Sequence, residues 1–345
     1  MLRKKVAVSA MSDFGLQVFS PSGRAINVSD AAPLQFVRRI DRSEVSFSSG
    51  ASNVFDFRGQ VPAGVQLVVW TDIAAAVLDS SIYLTYNVQP ININVTDRVV
   101  TISMPNFGTG NWALAASRMP TAFWVLAVYQ QPVTSDGWGL YVAQGGAFPA
   151  VVNSGASLFL TASYNITFTG AFQLNCSENA MVFCSCGADS VGLFFDRSTR
   201  QIVGYNTWGV VGGFSVPLLI CVFDIKTPTI PEWGLMVYGA DGGVSFTSEE
   251  TPMVIREWVS LPPYLGGWSA FSSPTNVPMI PPASVGANTT NQSDVWRVNL
   301  ALNGQHVGYG PGSRLVHVGS NILNNGEQIP YKGKTVPVIW ATDYF

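Results

Sequence analysis

The sequence carries little charge. Only 11% of its 345 residues are Asp, Glu, Lys or Arg, whereas an average soluble protein has about 25%. The surface must therefore be built from small polar and apolar residues, and such a surface tends to associate. We expect other subunits to cover much of it, as in a large assembly. The formal net charge is −3 and no long basic run occurs, which predicts that nucleic acid is not a partner.

Long hydrophobic runs are also lacking. No segment reaches the ~18 uninterrupted apolar residues of a membrane span, so the sequence predicts none. Three basic residues lie near the N-terminus, but the apolar stretch after them is too short for a signal peptide. We interpret residues 1–12 as an N-terminal arm, with Met11 as an alternative start to Met1.

Groups that commonly perform catalysis are scarce. Histidine is the commonest general base near neutral pH, and the chain has two, His306 and His317. The alternation around His317 indicates a residue on a sheet face. The motifs Gly-x-Ser-x-Gly, His-Glu-x-x-His and Gly-x-x-x-x-Gly-Lys-Ser/Thr do not occur. We interpret Asp294, Glu249 and Glu250 as solvated turn residues rather than as a glycosidase pair, and predict a protein that is not an enzyme and needs no cofactor.

The four cysteines lie close together in the chain, at Cys176, Cys184, Cys186 and Cys221. Their spacing is not that of a zinc site, and no histidine lies near them. We interpret them as buried free thiols that pack as small apolar residues. A disulfide from Cys176 to Cys184 or Cys186 is the alternative.

One short motif occurs three times. The motif is an aromatic residue followed by Gly-Leu-x-Val, and its copies begin at Phe14, Trp138 and Trp233. By chance, Gly-Leu-x-Val should occur only roughly 0.3 times in a chain of this length. In each copy a Leu or Met follows twenty residues after the aromatic, and an apolar strand closes the copy. The periods have the size of domains rather than of solenoid repeats. The sequence therefore predicts three tandem units of one fold.

The repeated residues are predicted to serve the core of each unit or an interface. Alternating polarity and a following turn signal place them on the first strand of a hairpin. They are Phe14, Gly15, Leu16, Val18, Trp138, Gly139, Leu140, Val142, Trp233, Gly234, Leu235 and Val237.

Many short strands with Gly- and Pro-rich turns predict a β-sandwich or barrel. We predict an all-β fold of three tandem β-sandwich domains, of jelly-roll or Ig-like type, at residues 13–131, 132–228 and 229–345. Short helical segments are predicted at 71–78 and 112–119, and a turn at 308–312. Prolines stiffen the segments that join the units, which predicts a rod-like arrangement.

Residues 261–291 are predicted to form a long irregular loop, because six prolines and three glycines lie among small polar residues. Loops of this length are usually functional or disordered. Aromatic residues that do not repeat are the better candidates for contacts, since aromatic rings offer rigid area at low entropic cost. The candidates for receptor or partner contacts are Trp112, Trp208, Tyr264 and Trp268.

The opening segment from Asp13 to Gly23, Asp-Phe-Gly-Leu-Gln-Val-Phe-Ser-Pro-Ser-Gly, resembles small β-rich proteins encoded near the tail tip and fibre genes of long-tailed bacteriophages. Those proteins open with a similar strand and turn and end in an aromatic-rich strand, comparable to Trp124–Tyr129. The resemblance covers the start and end of each unit, about a third of the chain. This chain differs in having three copies where one is expected.

The resemblance implies a structural protein of a phage tail tip or fibre, assembled in the host cytoplasm and located in the virion. It implies other tail proteins as partners, a homo-oligomer with a trimer as the first expectation, and a host surface glycan or protein as a further contact. Two alternatives stay open: a protein that binds a bacterial surface glycan, and a capsid or decoration protein of jelly-roll type.

Overall fold

The computed structural model of the chain describes residues 17–19, 25–27, 32–80, 85–107, 112–114, 120–128, 141–142, 146–147, 156–230, 236–238, 244–247, 249–290, 294–317, 322–323, 327–328, 331 and 334–345. Regular structure in these residues consists of β-strands and two 3-10 turns, Arg42–Glu44 and Ala341–Asp343, with no α-helix among them. The prediction of an all-β protein is confirmed.

Among the described residues, the first predicted unit contributes eleven strands. They are β1 Gln17–Phe19, β2 Ala25–Asn27, β3 Ala32–Asp41, β4 Ser52–Asp56, β5 Gln66–Thr71, β6 Ala75–Ser80, β7 Thr85–Pro90, β8 Asn92–Thr96, β9 Val99–Ser103, β10 Trp112–Leu114 and β11 Ala122–Val128. The second contributes eight: β12 Tyr141–Val142, β13 Gly146–Ala147, β14 Ala156–Phe168, β15 Ala171–Gln173, β16 Met181–Cys186, β17 Gly192–Asp196, β18 Gln201–Tyr205 and β19 Val216–Ile225.

In the described part of the third predicted unit there are twelve strands, several of them short. They are β20 Met236–Tyr238, β21 Val244–Thr247, β22 Val254–Ile255, β23 Glu257–Ser260, β24 Trp268–Ala270, β25 Pro278–Met279, β26 Ser284–Thr290, β27 Asp294–Asn303, β28 His306–His317, β29 Ile322–Leu323, β30 Glu327–Gln328 and β31 Thr335–Trp340.

Each copy of the repeat opens with a hairpin, as predicted. The antiparallel pairs are β1 with β2, β12 with β13, and β20 with β21. Val18, Val142 and Val237 lie in the first strands of these hairpins. The other nine predicted motif residues lie outside the described residues, so their core or interface role stays a prediction.

A second element is also repeated three times. The closing strand of each unit lies between the strand that follows the hairpin and one further strand: β11 pairs with β3 and β5, β19 with β14 and β16, and β31 with β23 and β25. The register between β3 and β11 shifts at Val37, and the register between β14 and β19 shifts at Thr161. In the third unit, Arg256 separates β22 from β23. All three lie twenty-three residues after the repeated aromatic, so the internal repeat extends to a shared irregularity.

The three units share one central core. Trp124 and Leu126 from β11, Cys221 and Phe223 from β19, and most of β31 pack into it. The intervening residues of β11 and β19 face two other cores, built from residues 40–127 and from residues 168–222. Both closing strands are nearly all apolar because each separates two cores.

Sheets also continue from one unit to the next. The strand β3 pairs with β14 and with β22, β17 pairs with β27, and β29 pairs in parallel with β7. The predicted rod-like arrangement is therefore wrong: prolines limit the local conformation of a linker, but they do not stop it from turning back onto a shared core. The predicted boundaries between units stay predictions.

Two helical predictions are also wrong. In the alanine-rich stretch 71–78, Thr71 ends β5 and residues 75–78 begin β6, whose Ala76 and Leu78 are buried in the core of the first unit. In the second segment, 112–119, Trp112–Leu114 forms β10 and pairs with β6, while residues 115–119 lie outside the described residues. Helix propensity is a weak signal that packing overrides, and here both faces of β6 are buried, because Ala75 and Val77 pack into a further small cluster.

Candidate interaction site

Trp208 is the most exposed large apolar side chain among the described residues, with 80% of its surface accessible. It lies in the loop between β18 and β19, and Val210 and Val211 beside it are 58% and 49% exposed. Burial of such side chains is favourable by roughly 25 cal/mol per Å². We call residues 206–213 the Trp208 loop.

Asn206 holds the Trp208 loop in one conformation. Its side-chain oxygen accepts hydrogen bonds from the backbone N–H groups of Trp208 (2.9 Å) and Val210 (3.2 Å), and its amide nitrogen donates to the Gly212 carbonyl (3.1 Å). The Asn206 and Gly209 backbones add further bonds across the loop. The aromatic ring is therefore presented by a loop whose backbone is already fixed, which lowers the entropic cost of binding.

Glycine residues let this loop lie against the third unit. Gly209 has φ +66°, and a Cβ there would lie 2.3 Å from the Trp296 ring and 2.8 Å from the Gly312 carbonyl oxygen. Gly212 has φ +80° and lies against the Thr169 carbonyl. Both positions need glycine for backbone conformation and for close approach.

The other exposed aromatic candidate is Tyr264, which is 61% exposed. Its ring packs over the backbone of Gly267, where a Cβ would lie 3.1 Å from a ring carbon. Trp268 is half-buried in β24 and packs over Gly308 of β28. Tyr264 thus presents a ring to solvent, whereas Trp268 mainly packs against the sheet.

Trp112 is placed differently. It begins β10 and pairs with Ser80 of β6, in the four-stranded sheet formed by β10, β6, β7 and β29. Trp268 pairs with Gly308 of β28, whereas the Trp208 loop lies against Gly312 of the same strand. Gly308 and Gly312 are four residues apart, or about 13 Å along β28.

The sequence wrongly predicted a turn at 308–312. These residues lie within β28, which pairs with β27 along its length. Their glycines serve close packing: Gly192 of β17 lies so near Pro311 that a Cβ would be 1.8 Å from its carbonyl oxygen. The predicted irregular loop 261–291 is also corrected, since it contains β24, β25 and β26 and buries Phe271, Met279 and Ile280.

Two buried charged residues that the sequence did not reveal, Asp72 and Arg197, line one cavity where the first two units meet. Asp72 accepts hydrogen bonds from the Thr121 hydroxyl (2.7 Å) and backbone N–H (3.3 Å). Arg197 donates to the carbonyl groups of Ala180 (2.6 Å) and Glu178 (3.1 Å), and its guanidinium lies 3.7 Å from the centre of the Trp124 ring. Burial raises the pKa of Asp72 and lowers the pKa of Arg197 to about 10.

The cavity beside this pair is small. It is lined by Trp70, Asp72, Met181, Val182, Phe195, Arg197, Pro281 and Pro282, and its volume is about 10 Å³. A single water molecule needs about that much space, so this cavity does not hold an organic substrate. Residues of all three predicted units line the cavity, since Pro282 belongs to the third.

The carboxylates predicted to be solvated are not all solvated. Glu250 is buried, lies 2.5 Å from Lys226 Nζ and accepts a hydrogen bond from the Thr229 backbone N–H. Asp294 is half-buried at the start of β27, whereas Glu249 is exposed as predicted. Burial of a charge depends on partners distant in sequence, which a local turn pattern does not reveal.

The cysteines are free thiols, three of them buried, as predicted. Burial raises the pKa of Cys184 and Cys221, which makes their thiols unreactive. Among the described residues, no group of three or more His, Cys, Asp or Glu side chains could hold a metal ion. No helix in the same part of the chain is long and apolar enough to cross a membrane.

Comparison with known proteins gives a family but no activity. No curated protein and no solved structure matches the chain. Residues 15–340 match a family of unknown function, DUF6453. The match spans all three copies of the aromatic-Gly-Leu-x-Val motif except Phe14 itself, so the triple repeat lies within the family's own length. The chain belongs to the DUF6453 family.

Proposed function

We propose that the chain is a non-enzymatic structural protein of a bacteriophage tail tip or tail fibre, which attaches to other tail proteins and contacts a partner through the Trp208 loop. The observation that carries this proposal is a tryptophan exposed by 80% on a loop that Asn206 fixes. An exposed aromatic residue on a rigid support is typical of the residues that dominate binding energy at interfaces. The partner is the host surface or a neighbouring tail protein.

The tail location is supported by the sequence. The motif at Phe14 resembles the opening segment of small tail-region proteins. Only 11% of the residues are charged, which suits a surface covered by other subunits. We further propose that each unit is a β-sandwich of jelly-roll or Ig-like type, with its closing strand contributing to the central core.

A glycan-binding role is the second candidate, because Tyr264 exposes its ring above the Gly267 backbone. Flat aromatic faces of this kind can stack on sugars, as they offer rigid apolar area with a polar edge. In this version the phage adsorbs through a bacterial surface glycan.

Location is tested by electron microscopy of the phage that encodes the chain, with gold-labelled antibody raised against the purified protein. Labelling at the tail tip or fibres is expected. Labelling of the head would instead support the capsid or decoration alternative, and unlabelled virions that lack the chain by mass spectrometry would overturn the proposal.

Contact through the loop is tested by competition. Purified chain is added to susceptible bacteria, and the adsorption rate of the phage is measured. The unmodified chain should slow adsorption, and Trp208→Ala should need an about 30-fold higher concentration for the same effect, which corresponds to a lost contact of about 2 kcal/mol.

The matched control is Ile230→Ala, because Ile230 is similarly exposed at 68% but lies outside the loop. It should compete as well as the unmodified chain, and both variants should keep the melting temperature because neither side chain is buried. If Trp208→Ala competes equally well, the loop does not face the host, and crosslinking from residue 208 should then reach a tail protein. Tyr264→Ala distinguishes the glycan version, since only that version predicts that this variant competes less well than the unmodified chain and that free sugar alone slows adsorption of the phage.

A further inference from the structure

The segments that follow the three hairpins, at β3, β14 and β22, pair with one another through their first residues and form a closed ring. The paired residues lie eighteen to twenty-two places after the repeated aromatic of their unit. Gln35 and Phe36 of the first unit pair with Ser157 and Ala156 of the second. Phe159 of the second forms a bridge with Pro252 of the third.

The third unit then returns to the first: Val254 pairs with Pro33, and Ile255 pairs with Ala32. The three contacts have the same register. In each, the residue twenty-one places after the aromatic of one unit faces the residue nineteen places after the aromatic of the next. Backbone hydrogen bonds from Met253 N–H to the Leu158 carbonyl and from Leu160 N–H to the Thr251 carbonyl, both 2.8 Å, close the second contact.

This arrangement is a cyclic one. A head-to-tail contact that repeats with the same register and returns to its start after three steps is the contact of a threefold ring. Homotrimers build such a ring from three chains, whereas here one chain supplies all three positions. The middle is filled, because Phe159, Phe223 and Tyr344 from the second and third units pack in the core that the first unit shares.

We propose that one copy of the chain takes the place of a homotrimer and docks, as a monomer, on the threefold axis of a symmetric protein partner. A ring already closed within the chain leaves no open position for another copy. Three equivalent positions around one axis can each meet one subunit of a threefold partner, whereas a partner without a threefold axis cannot meet all three in the same way.

The proposal gives the chain a specific role in an assembly. The ring is threefold, but the Trp208 loop occurs once, in the second unit, and Tyr264 once, in the third. One chain would thus join a threefold partner to a single, off-axis contact surface. Where that partner is found rests on the proposed function, whereas the closed ring does not.

The first measurement is the mass of the purified full chain by light scattering after size-exclusion chromatography, over a wide range of concentrations. The expected mass is that of one chain, 37.0 kDa. A stable species of about three times that mass would overturn the proposal, since the trimer implied by the resemblance would then be formed by three chains.

The second measurement counts copies. The chain, tagged at its N-terminus, is produced together with its neighbouring genes, and the complex it forms is weighed by native mass spectrometry. One chain for every three copies of the partner is expected. Equal copy numbers, any other ratio, or a chain that enters no complex would contradict the inference. Its failure is distinguishable from that of the proposed function, because a one-to-three complex found outside the tail keeps the ratio and removes only the location.

Discussion

Glu250 joins the second and third units through one ion pair. Its carboxylate lies 2.5 Å from Lys226 Nζ and also accepts the Thr229 backbone N–H at 2.9 Å. Burial acts to raise the pKa of Glu250, but the bonds from Lys226 and Thr229 outweigh it and hold the pKa below its usual 4.5. A charge-assisted bond of this kind stabilises the folded state more than a neutral one.

Glu250→Gln is therefore expected to lower the free energy of unfolding at neutral pH by about 1.5 kcal/mol, the low end for a charged hydrogen bond, because Lys226 is partly exposed to solvent. A carboxylate whose pKa is lowered by folding stabilises the protein above its unfolded pKa, and that contribution is lost as pH falls through the folded pKa. The difference between the two proteins should shrink below about pH 4.3. Urea unfolding at a series of pH values measures it.

Glu249→Gln provides the control, because Glu249 is the adjacent carboxylate and is exposed. It should leave the unfolding free energy within about 0.5 kcal/mol of the unmodified value at every pH. If both variants behave alike, the Lys226 pair does not contribute to stability.

For single residues, the sequence indicated the environment of a side chain only where that environment does not depend on residues distant in the chain. Trp208 was recognised because it does not repeat, and the structure places it in solvent. Asp72 and Arg197 were missed, because each becomes a buried charge only through neighbours such as Thr121 and Trp124 that other parts of the chain supply.

At the scale of elements, β17 and β28 approach each other with no side chain between them. A Cβ on Gly192 would lie 1.8 Å from the Pro311 carbonyl oxygen, and Gly310 also lies close to the Gly192 backbone. The sequence shows the glycine-rich stretch but not its use: glycine is equally typical of turns and of close backbone contact, and only the position of β17 decides between them.

Gly192→Ala should separate these strands and lower the free energy of unfolding by about 3 kcal/mol, since the clash is with backbone and no flexible side chain can move aside. The matched variant is Gly187→Ala, also in the second unit, where a Cβ would meet nothing within 4 Å. Chemical denaturation of both should show a large loss for the first and almost none for the second. Equal losses would indicate a general cost of alanine rather than this contact.

At the scale of the whole molecule, three copies of a motif were visible in the sequence, but their closed arrangement was not. The repeat reports which segments are equivalent, and the hairpins and closing strands follow it. The order in which equivalent strands pair across units depends on contacts between residues such as Pro33 and Val254. No local pattern encodes such a contact, so proline-containing linkers wrongly suggested a rod.

A shared core has a thermodynamic consequence. The closing strands β11 and β19 each carry one face into the central core and the other into the core of their own unit, so a unit cannot unfold without exposing apolar surface of the others. We expect one cooperative transition for the full chain, with a calorimetric enthalpy equal to the van't Hoff enthalpy. Separate domains on flexible linkers would give up to three transitions.

Phe57→Ala tests this coupling from the periphery. Phe57 is buried in the core of the first unit and not in the central one, and its loss should cost about 3–5 kcal/mol. Because the units unfold together, scanning calorimetry should show the whole heat-absorption peak moving to lower temperature. A peak that divides, with only about a third of the enthalpy shifted, would mean that the first unit unfolds by itself and that the central core does not bind the three units into one cooperative structure.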